Sequence, residues 1–160
     1  MSAPPLFHLA LVEPEIPGNT GNIGRLAVGL GVPLHLVRPL GFSLDAKHVR
    51  RAGIDHWSQV DLHVHDDLDA FLAWAEGRRL HLMSARARRA YTEIAFQAGD
   101  VLVFGRESVG LPDDLVARFG GWAIPTPGAV RSLNLSNAAA VTAYEALRQL
   151  APQHFVRESP

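Results

Sequence analysis

The chain has 160 residues, 48% hydrophobic and 19% charged, a size and composition typical of one soluble globular domain with its own core. It contains no cysteine, which excludes disulfide bonds and thiolate metal sites and favours a reducing compartment, the cytoplasm. The formal net charge of −1 at pH 7 by itself argues against nucleic-acid binding, because bulk binding to phosphate favours a basic chain.

The first half of the chain predicts strands and helices in alternation. An apolar run over Phe7–Val12 predicts a buried strand, and residues 14–22 are rich in turn formers and predict a loop. Asn22 can then cap a helix over residues 23–30, and Leu34–Val37 predicts a second strand. Further on, the pattern predicts a helix over residues 45–52, a strand over residues 60–65 and a helix over residues 68–75.

The second half predicts three more strands, over residues 80–84, 101–104 and 122–124, and a long last helix. That helix begins at Asn134 or Ser136 and ends at Leu150, and residues 152–160 are expected to be a flexible tail. The alternation predicts an α/β fold, a mostly parallel sheet flanked by helices, in a single domain over residues 1–151. We expect no membrane association, because no stretch has the length of a membrane span and the first residues do not form a secretory signal.

A first motif, residues 13–25, places Gly18, Gly21 and Gly24 between a predicted strand and a predicted helix. Backbone N–H groups at such a helix start can hold a phosphate. A dinucleotide-binding fingerprint is excluded by the spacing of the glycines, which is G-x-x-G-x-x-G rather than G-x-G-x-x-G. A plain turn with glycines that allow close helix packing explains the motif equally well.

A second motif, residues 104–112, follows a buried strand and contains Gly105 and Glu107. Ligands of open α/β sheets bind beyond the carboxyl ends of strands, and a glycine there allows close approach of the backbone. The motif therefore indicates a ligand site, although a strand followed by a capped helix is an alternative.

A third motif, residues 131–137, places Ser132, Asn134 and Ser136 on one side if the segment is extended. Simple capping of the last helix is the alternative. Ser132 is a weak candidate for a nucleophile, since it lacks the G-x-S-x-G pattern. The eight histidines, which include His63 and His65, show no metal-binding spacing, so no metal is expected.

In this order, the three motifs resemble those of the SPOUT methyltransferases. More closely, the chain resembles the bacterial tRNA wobble-position 2′-O-methyltransferases of the TrmL or YibK group, from about residue 7 to residue 150. The segment 45–53, with its Arg-Arg-Ala-Gly sequence, contributes to this resemblance. It implies a homodimer, a C-terminal deep trefoil knot, and S-adenosylmethionine as cofactor. The cofactor-binding residues that it implies are Met83, Gly105, Ile124, Ser132 and Leu133.

The resemblance also implies a reaction, methyl transfer to the 2′-hydroxyl of a cytidine or uridine at the wobble position of a tRNA anticodon. The catalytic residues that it implies are Arg25, Glu107, Asn134 and Tyr144. Arg25 is expected to orient and stabilise the developing alkoxide, because a guanidinium stays protonated and is a poor base. A base methyltransferase, a 2′-O-methyltransferase of another RNA site, a non-catalytic RNA-binding module and a Rossmann-like redox enzyme remain as alternatives.

Two features concern RNA binding. Arginines cluster at residues 50–51 and 86–89, and a dimer would place two copies of each cluster beside one RNA, which offsets the unfavourable net charge. Arg106 stands where the related enzymes often have proline.

Overall fold

The computed structural model describes residues 3–45 and 54–157, except for the side chains of residues 54 and 55. Within these residues, seven strands form one sheet in the order β3-β2-β1-β6-β4-β7-β5, and each pair of neighbours is parallel. The strands are β1 (Phe7–Val12), β2 (Leu34–Val37), β3 (Leu62–His65), β4 (Leu80–Met83), β5 (Arg89–Ala90), β6 (Asp100–Phe104) and β7 (Gly121–Ala123). The α-helices are α1 (Pro17–Leu30), α2 (Leu68–Trp74), α3 (Asp113–Phe119) and α4 (Leu135–Leu150).

Helices cover both faces of the sheet, as an all-parallel sheet requires. Successive side chains of β1 point to opposite faces, so Phe7, Leu9 and Leu11 join the core beneath α1 and α4. Ala10 and Val12 join the second core, beneath α2 and α3. All six residues of β1 are buried, which explains why this strand reads as a continuous apolar run rather than an alternation.

Most predicted elements are found near their predicted bounds, and two of the strands, β1 and β2, at those bounds. The prediction that Asn22 caps the first helix is wrong, because α1 begins at Pro17, a residue whose fixed φ suits the first helical position. The short strand β5 and the helix α3 were not predicted. The predicted helix over residues 45–52 lies, beyond Asp45, outside the described residues.

The C-terminal segment contains local structure. Pro152–Phe155 form a 3-10 helix, and the Phe155 ring packs edge-on against the Tyr144 ring of α4, with 6.4 Å between their centroids. The flexibility of this tail stays a prediction. Of the helices within residues 3–45 and 54–157, none is both long and apolar enough to cross a membrane.

Four histidines, His8, His35, His63 and His65, lie together on the α2-facing side of strands β1, β2 and β3, and we call them the histidine ladder. The ring nitrogens of His8 and His35 are 3.0 Å apart, and those of His35 and His65 are 2.9 Å apart. His63 stacks on His35, and the Trp74 ring covers His35 at 4.1 Å between centroids. Burial lowers the pKa of His8 to about 4 and that of His35 to about 2, so both rings are neutral at neutral pH.

The histidine ladder predicts that stability falls in mild acid. An unfolded histidine takes up a proton near pH 6.5, whereas folded His8 and His35 resist protonation to about pH 4 and about pH 2. The free energy of unfolding should therefore be highest above pH 6.5 and fall as pH decreases, by about 1.4 kcal/mol per pH unit for each such histidine. Urea unfolding between pH 7.5 and pH 5 measures this slope.

In the variant His35→Leu, the decrease of the unfolding free energy with falling pH should be smaller by about 1.4 kcal/mol per pH unit, because the variant lacks one group that only the unfolded chain protonates. His154→Gln, an exposed change, is the matched control. An unchanged slope in His35→Leu would contradict this account of the ladder.

Candidate functional site

A cavity of about 800 Å³ opens at the carboxyl ends of β4, β6 and β7. Its walls include Met83, Phe104 and Trp122 on these strands, the loops that follow β4 and β6, and residues 131–135 before and at the start of α4. Ile16 and Asn19, at the start of α1, complete the lining. The loops after parallel strands meet at one edge of the sheet, which is why motifs distant in the chain lie side by side here.

The sequence-predicted site residues divide into two groups. The five predicted cofactor-binding residues all line the cavity: Met83, Gly105, Ile124, Ser132 and Leu133. Of the predicted catalytic residues, Glu107 and Asn134 line it, whereas Arg25 and Tyr144 do not. Arg25 lies exposed on α1, and Tyr144 lies on α4 with 49% of its surface exposed.

Glu107 binds the start of α1. Its Oε2 accepts a hydrogen bond from the backbone N–H of Glu15 at 2.8 Å, and its Oε1 accepts one from that of Ile16 at 3.1 Å. The Nδ2 of Asn19 also donates to Oε1, at 3.3 Å. Ile16 occupies the N-cap position of α1 and has no capping side chain of its own, so a carboxylate from the second motif supplies an acceptor at this helix end.

Asn134 has two structural contacts. Its Oδ1 accepts hydrogen bonds from the backbone N–H groups of Ser136 at 2.9 Å and Asn137 at 3.4 Å, which caps α4. Its Nδ2 donates to Oδ1 of Asn19 at 3.1 Å. The expectation that Ser132, Asn134 and Ser136 share one side of an extended segment is wrong, because the helix begins at Leu135 and Ser136 lies within it.

Asn19 therefore connects all three motifs. It donates to Glu107 of the second motif and accepts from Asn134 of the third, while it lies in the first turns of α1. Sequence reasoning did not single it out, because an asparagine in a loop rich in turn formers carries no signal of its own. Only 6% of the surface of Asn19 is exposed, and a buried polar side chain needs hydrogen-bond partners such as these two.

Two of the motif glycines, Gly105 and Gly24, allow close packing within the chain. A Cβ on Gly105 would lie 2.2 Å from the backbone carbon of Gly110, so only glycine lets the second motif fold back on itself. A Cβ on Gly24 would lie 2.6 Å from the Trp57 ring, where a 3-10 helix, Ile54–Gln59, packs against α1. For Gly24, helix packing is therefore the explanation.

Two further cavity residues were missed by sequence reasoning. Trp122 presents its indole to the cavity and carries the Arg89 guanidinium over its ring at 4.1 Å, a cation–π contact. Arg131 lines the mouth and is exposed. In the described parts of the chain, no group of three or more His, Asp or Glu side chains has the arrangement of a metal site.

Comparisons with known proteins agree on one family. The model of the SpoU rRNA Methylase family matches residues 6–144. A tRNA (cytidine(34)-2′-O)-methyltransferase of Methylovorus glucosotrophus is 46% identical over 147 residues, which cover 90% of this chain and 96% of the relative.

Two solved structures extend the comparison. A structure described as giving insights into the 2-OH methylation of C/U34 on tRNA is 51% identical, with a TM-score of 0.90, and the match covers 94% of this chain and 99% of that chain. The SpoU methyltransferase AviRb of Streptomyces viridochromogenes, solved in complex with the cofactor AdoMet, is 25% identical with a TM-score of 0.81. That match covers 93% of this chain and 59% of AviRb.

The capping contacts of Asn134 predict a loss of stability on truncation. Asn134→Ala removes the acceptor for two N–H groups of α4 and the donor to Asn19, so the free energy of unfolding should fall by about 1 kcal/mol. Asn137→Ala, on the same helix turn, is the control and should change it little. Urea unfolding measures both, and equal effects in the two variants would refute the capping role.

Proposed function

The chain belongs to the SpoU rRNA Methylase family, and from this premise we propose that it methylates the ribose 2′-hydroxyl of tRNA nucleotide 34, the wobble cytidine or uridine. The observation that carries the proposal is the cavity in which the three motifs meet, on a chain 46% identical to a tRNA (cytidine(34)-2′-O)-methyltransferase. S-adenosylmethionine is the methyl donor. A tRNA-modifying enzyme of this kind acts in the cytoplasm.

The residues of the cavity fit S-adenosylmethionine. The volume of about 800 Å³ is that of a small-molecule site, and apolar Met83, Ile124 and Leu133 offer surface for a purine. Ser132 and the backbone of Gly105 offer polar atoms for a ribose and an amino acid group. When bound, the cofactor supplies a methyl group already activated on a sulfonium, so the protein's task is to position the hydroxyl in line with it.

The hydrogen bonds of Glu107 and Asn134 support a role for these two residues that differs from the role proposed for Arg25 and Tyr144. Glu107 and Asn134 act as positioning residues, because their polar atoms hold the start of α1 and the start of α4. Arg25 contacts a phosphate or the developing alkoxide of the nucleotide, where a fixed positive charge stabilises negative charge. Tyr144 contributes an aromatic ring with a polar tip.

We infer that the enzyme is a homodimer whose interface includes α1 and α4. These two helices pack against each other. On α4, Val141 and Tyr144 are 36% and 49% exposed to solvent. Arg25 and Tyr144 do not line the cavity of their own subunit, so a partner on this face would bring them to a second cavity. Two subunits would also double the arginines available to the RNA.

We further infer that the C-terminal part of the chain is knotted. Strand β6 lies between β1 and β4 in the sheet, although β4 and β5 precede it in the chain. The chain then leaves β7, passes the cavity, and places α4 against α1 and β1. This path is the support for a trefoil in which the second and third motifs are the crossing segments.

The purified protein, with S-adenosylmethionine and no added metal, should methylate nucleotide 34 of tRNA isolated from cells that lack the enzyme. Mass mapping of nucleosides should locate one 2′-O-methyl group there, and calorimetry should give about one donor per subunit, with no change on addition of a chelator. A methyl group on a base, or at another position of the tRNA, would overturn the proposed reaction. Loss of donor binding on chelation would overturn the metal-free site.

Mixed dimers test whether two subunits share one site. Arg25→Ala should reduce turnover at least about a hundredfold while donor affinity stays within a few-fold, and Tyr144→Ala should also reduce turnover. If Arg25 acts at the cavity of the partner subunit, a mixed dimer of one Arg25→Ala subunit and one subunit whose cavity is blocked by Leu133→Arg keeps one intact site, and Tyr144→Ala in place of Arg25→Ala tests the tyrosine in the same way. Each mixed dimer should show about half of the wild-type turnover.

If Arg25 served the cavity of its own subunit, this mixed dimer would be inactive. A stable and active monomer in sedimentation at micromolar concentration would refute the dimer itself. A fully active Tyr144→Ala homodimer would remove the tyrosine from the mechanism.

A further inference from the structure

Two side-chain pairs tie the loop of the second motif to the segment between β1 and α1. The Nη2 and Nε of Arg106 lie 2.7 Å and 2.9 Å from Oε2 of Glu13. The hydroxyl of Ser108 donates to Oε1 of Glu15 at 2.6 Å. We call these two pairs, Arg106–Glu13 and Ser108–Glu15, the latch.

The latch acts on a stretch of backbone in an uncommon conformation. Glu13 has φ of 53°, in the left-handed region that side chains rarely adopt, at the point where the chain turns from β1 towards α1. Its N–H donates to the carbonyl of Val37 at 2.9 Å, and its carboxylate is bound by Arg106. A conformation of this kind persists only where the surroundings fix it, and the Arg106 contact is one of the contacts that do so.

The other half of the latch is a tight loop. Arg106 N–H donates to the carbonyl of Gly110 at 3.3 Å, and the N–H of Gly110 donates back at 2.9 Å. Gly105 allows this closure, as described above. Arg106 is therefore carried on a short closed loop, and its side chain can transmit the position of that loop to Glu13.

Both joined segments form walls of the cavity, but the acids of the latch do not line it. The loop contributes Gly105 and Arg106, and the other segment contributes Ile16, whereas Glu13 and Glu15 lie outside the lining. The side chains of Arg106 and Glu13 are 40% and 25% exposed, so this pair is better shielded from solvent than an ordinary surface pair. It also forms two charge-assisted hydrogen bonds.

We propose that the latch sets the spacing of these two walls and thereby the affinity for the methyl donor, with Arg106 as its main positioning residue. The inference rests on the proposed function, because it takes the cavity to be the donor site. A role of Arg106 in holding RNA phosphate is disfavoured, since Nε and Nη2 are already engaged by Glu13 and its charge is neutralised there.

The test is a double-mutant cycle on the dimer with Arg106→Ala and Glu13→Gln. Calorimetry with S-adenosylhomocysteine gives the donor-site Kd, and methylation of tRNA gives kcat and the KM for tRNA. Each single variant should raise Kd about five- to tenfold, the loss expected for one charge-assisted pair. The double variant should lose no more than either single one, because both changes remove the same contact.

The kcat at saturating donor and the KM for tRNA should stay within about twofold of wild type, since the latch does not touch the reacting atoms. A merely structural role would lower the melting temperature and kcat together and would not single out Kd. Arg38→Ala is the control, because it breaks another arginine–carboxylate pair, Arg38–Asp66 at 4.0 Å, which lies outside the cavity and on neither α1 nor α4.

The possible failures are distinguishable. If the wild-type protein does not bind S-adenosylhomocysteine, the proposed function fails. If it binds and Arg106→Ala binds equally well, the latch is overturned while the function stands. Additive losses in the double variant, or a raised KM for tRNA with unchanged Kd, would also overturn the latch, and the latter would assign Arg106 to the RNA.

Discussion

The carboxylate of Glu107 accepts hydrogen bonds from two backbone N–H groups and one side-chain N–H group at the start of α1. The arrangement of the cavity depends on these three contacts. A helix end leaves N–H groups without partners, and a partly buried acid is well suited to accept them. Because the acid belongs to the loop after β6, these contacts couple the position of α1 to that of the central strand β6. Asn19 then extends the same network to Asn134, and so to the cap of α4.

This network also explains how the two long helices are aligned. α1 and α4 pack on the same core beneath the sheet, through buried residues such as Ile23, Ala27, Ala139 and Ala143. Such packing fixes the distance between the two helices. It specifies poorly how far each helix is shifted along its axis, because apolar contacts are non-directional. The directional bonds at Asn19 join the N-terminal ends of both helices at the cavity.

Much of this fold could be predicted from residue patterns. The central strands are found as predicted because buried parallel strands are continuous apolar runs, and the loop-end rule predicted that the second motif would border a ligand site. β5 was missed because two residues cannot show a period. α3 was missed because seven residues are too few to show a helical period, although its first turn contains the aspartates that favour a helix start.

The roles within the site were harder to predict, for a physical reason. The sequence shows which polar residues are present but not which partners they take, and partners 88 and 115 residues apart meet only through the topology of the sheet. Asn134 is the clearest case. Helix capping and a place in the cavity were set against each other as alternatives, and the structure shows that the residue has both.

The hydrogen bonds of the cavity side chains also indicate which residues can take part in the reaction. Of the polar side chains that line the cavity, Glu107 accepts three hydrogen bonds, Asn134 caps a helix, and Ser108 is bound to Glu15. Groups held this firmly are well placed to give the cavity its shape, which is what an in-line methyl transfer needs most. They are poorly placed to move with a developing charge, since such a movement would strain the hydrogen bonds that hold them. Under the proposed function, stabilisation of the alkoxide would fall to groups outside this set. The exposed Arg25 of α1 and Tyr144 of α4 are such groups. In a dimer built on these two helices, one subunit would supply the residues that shape the cavity, and its partner would supply the residues that act on the nucleotide.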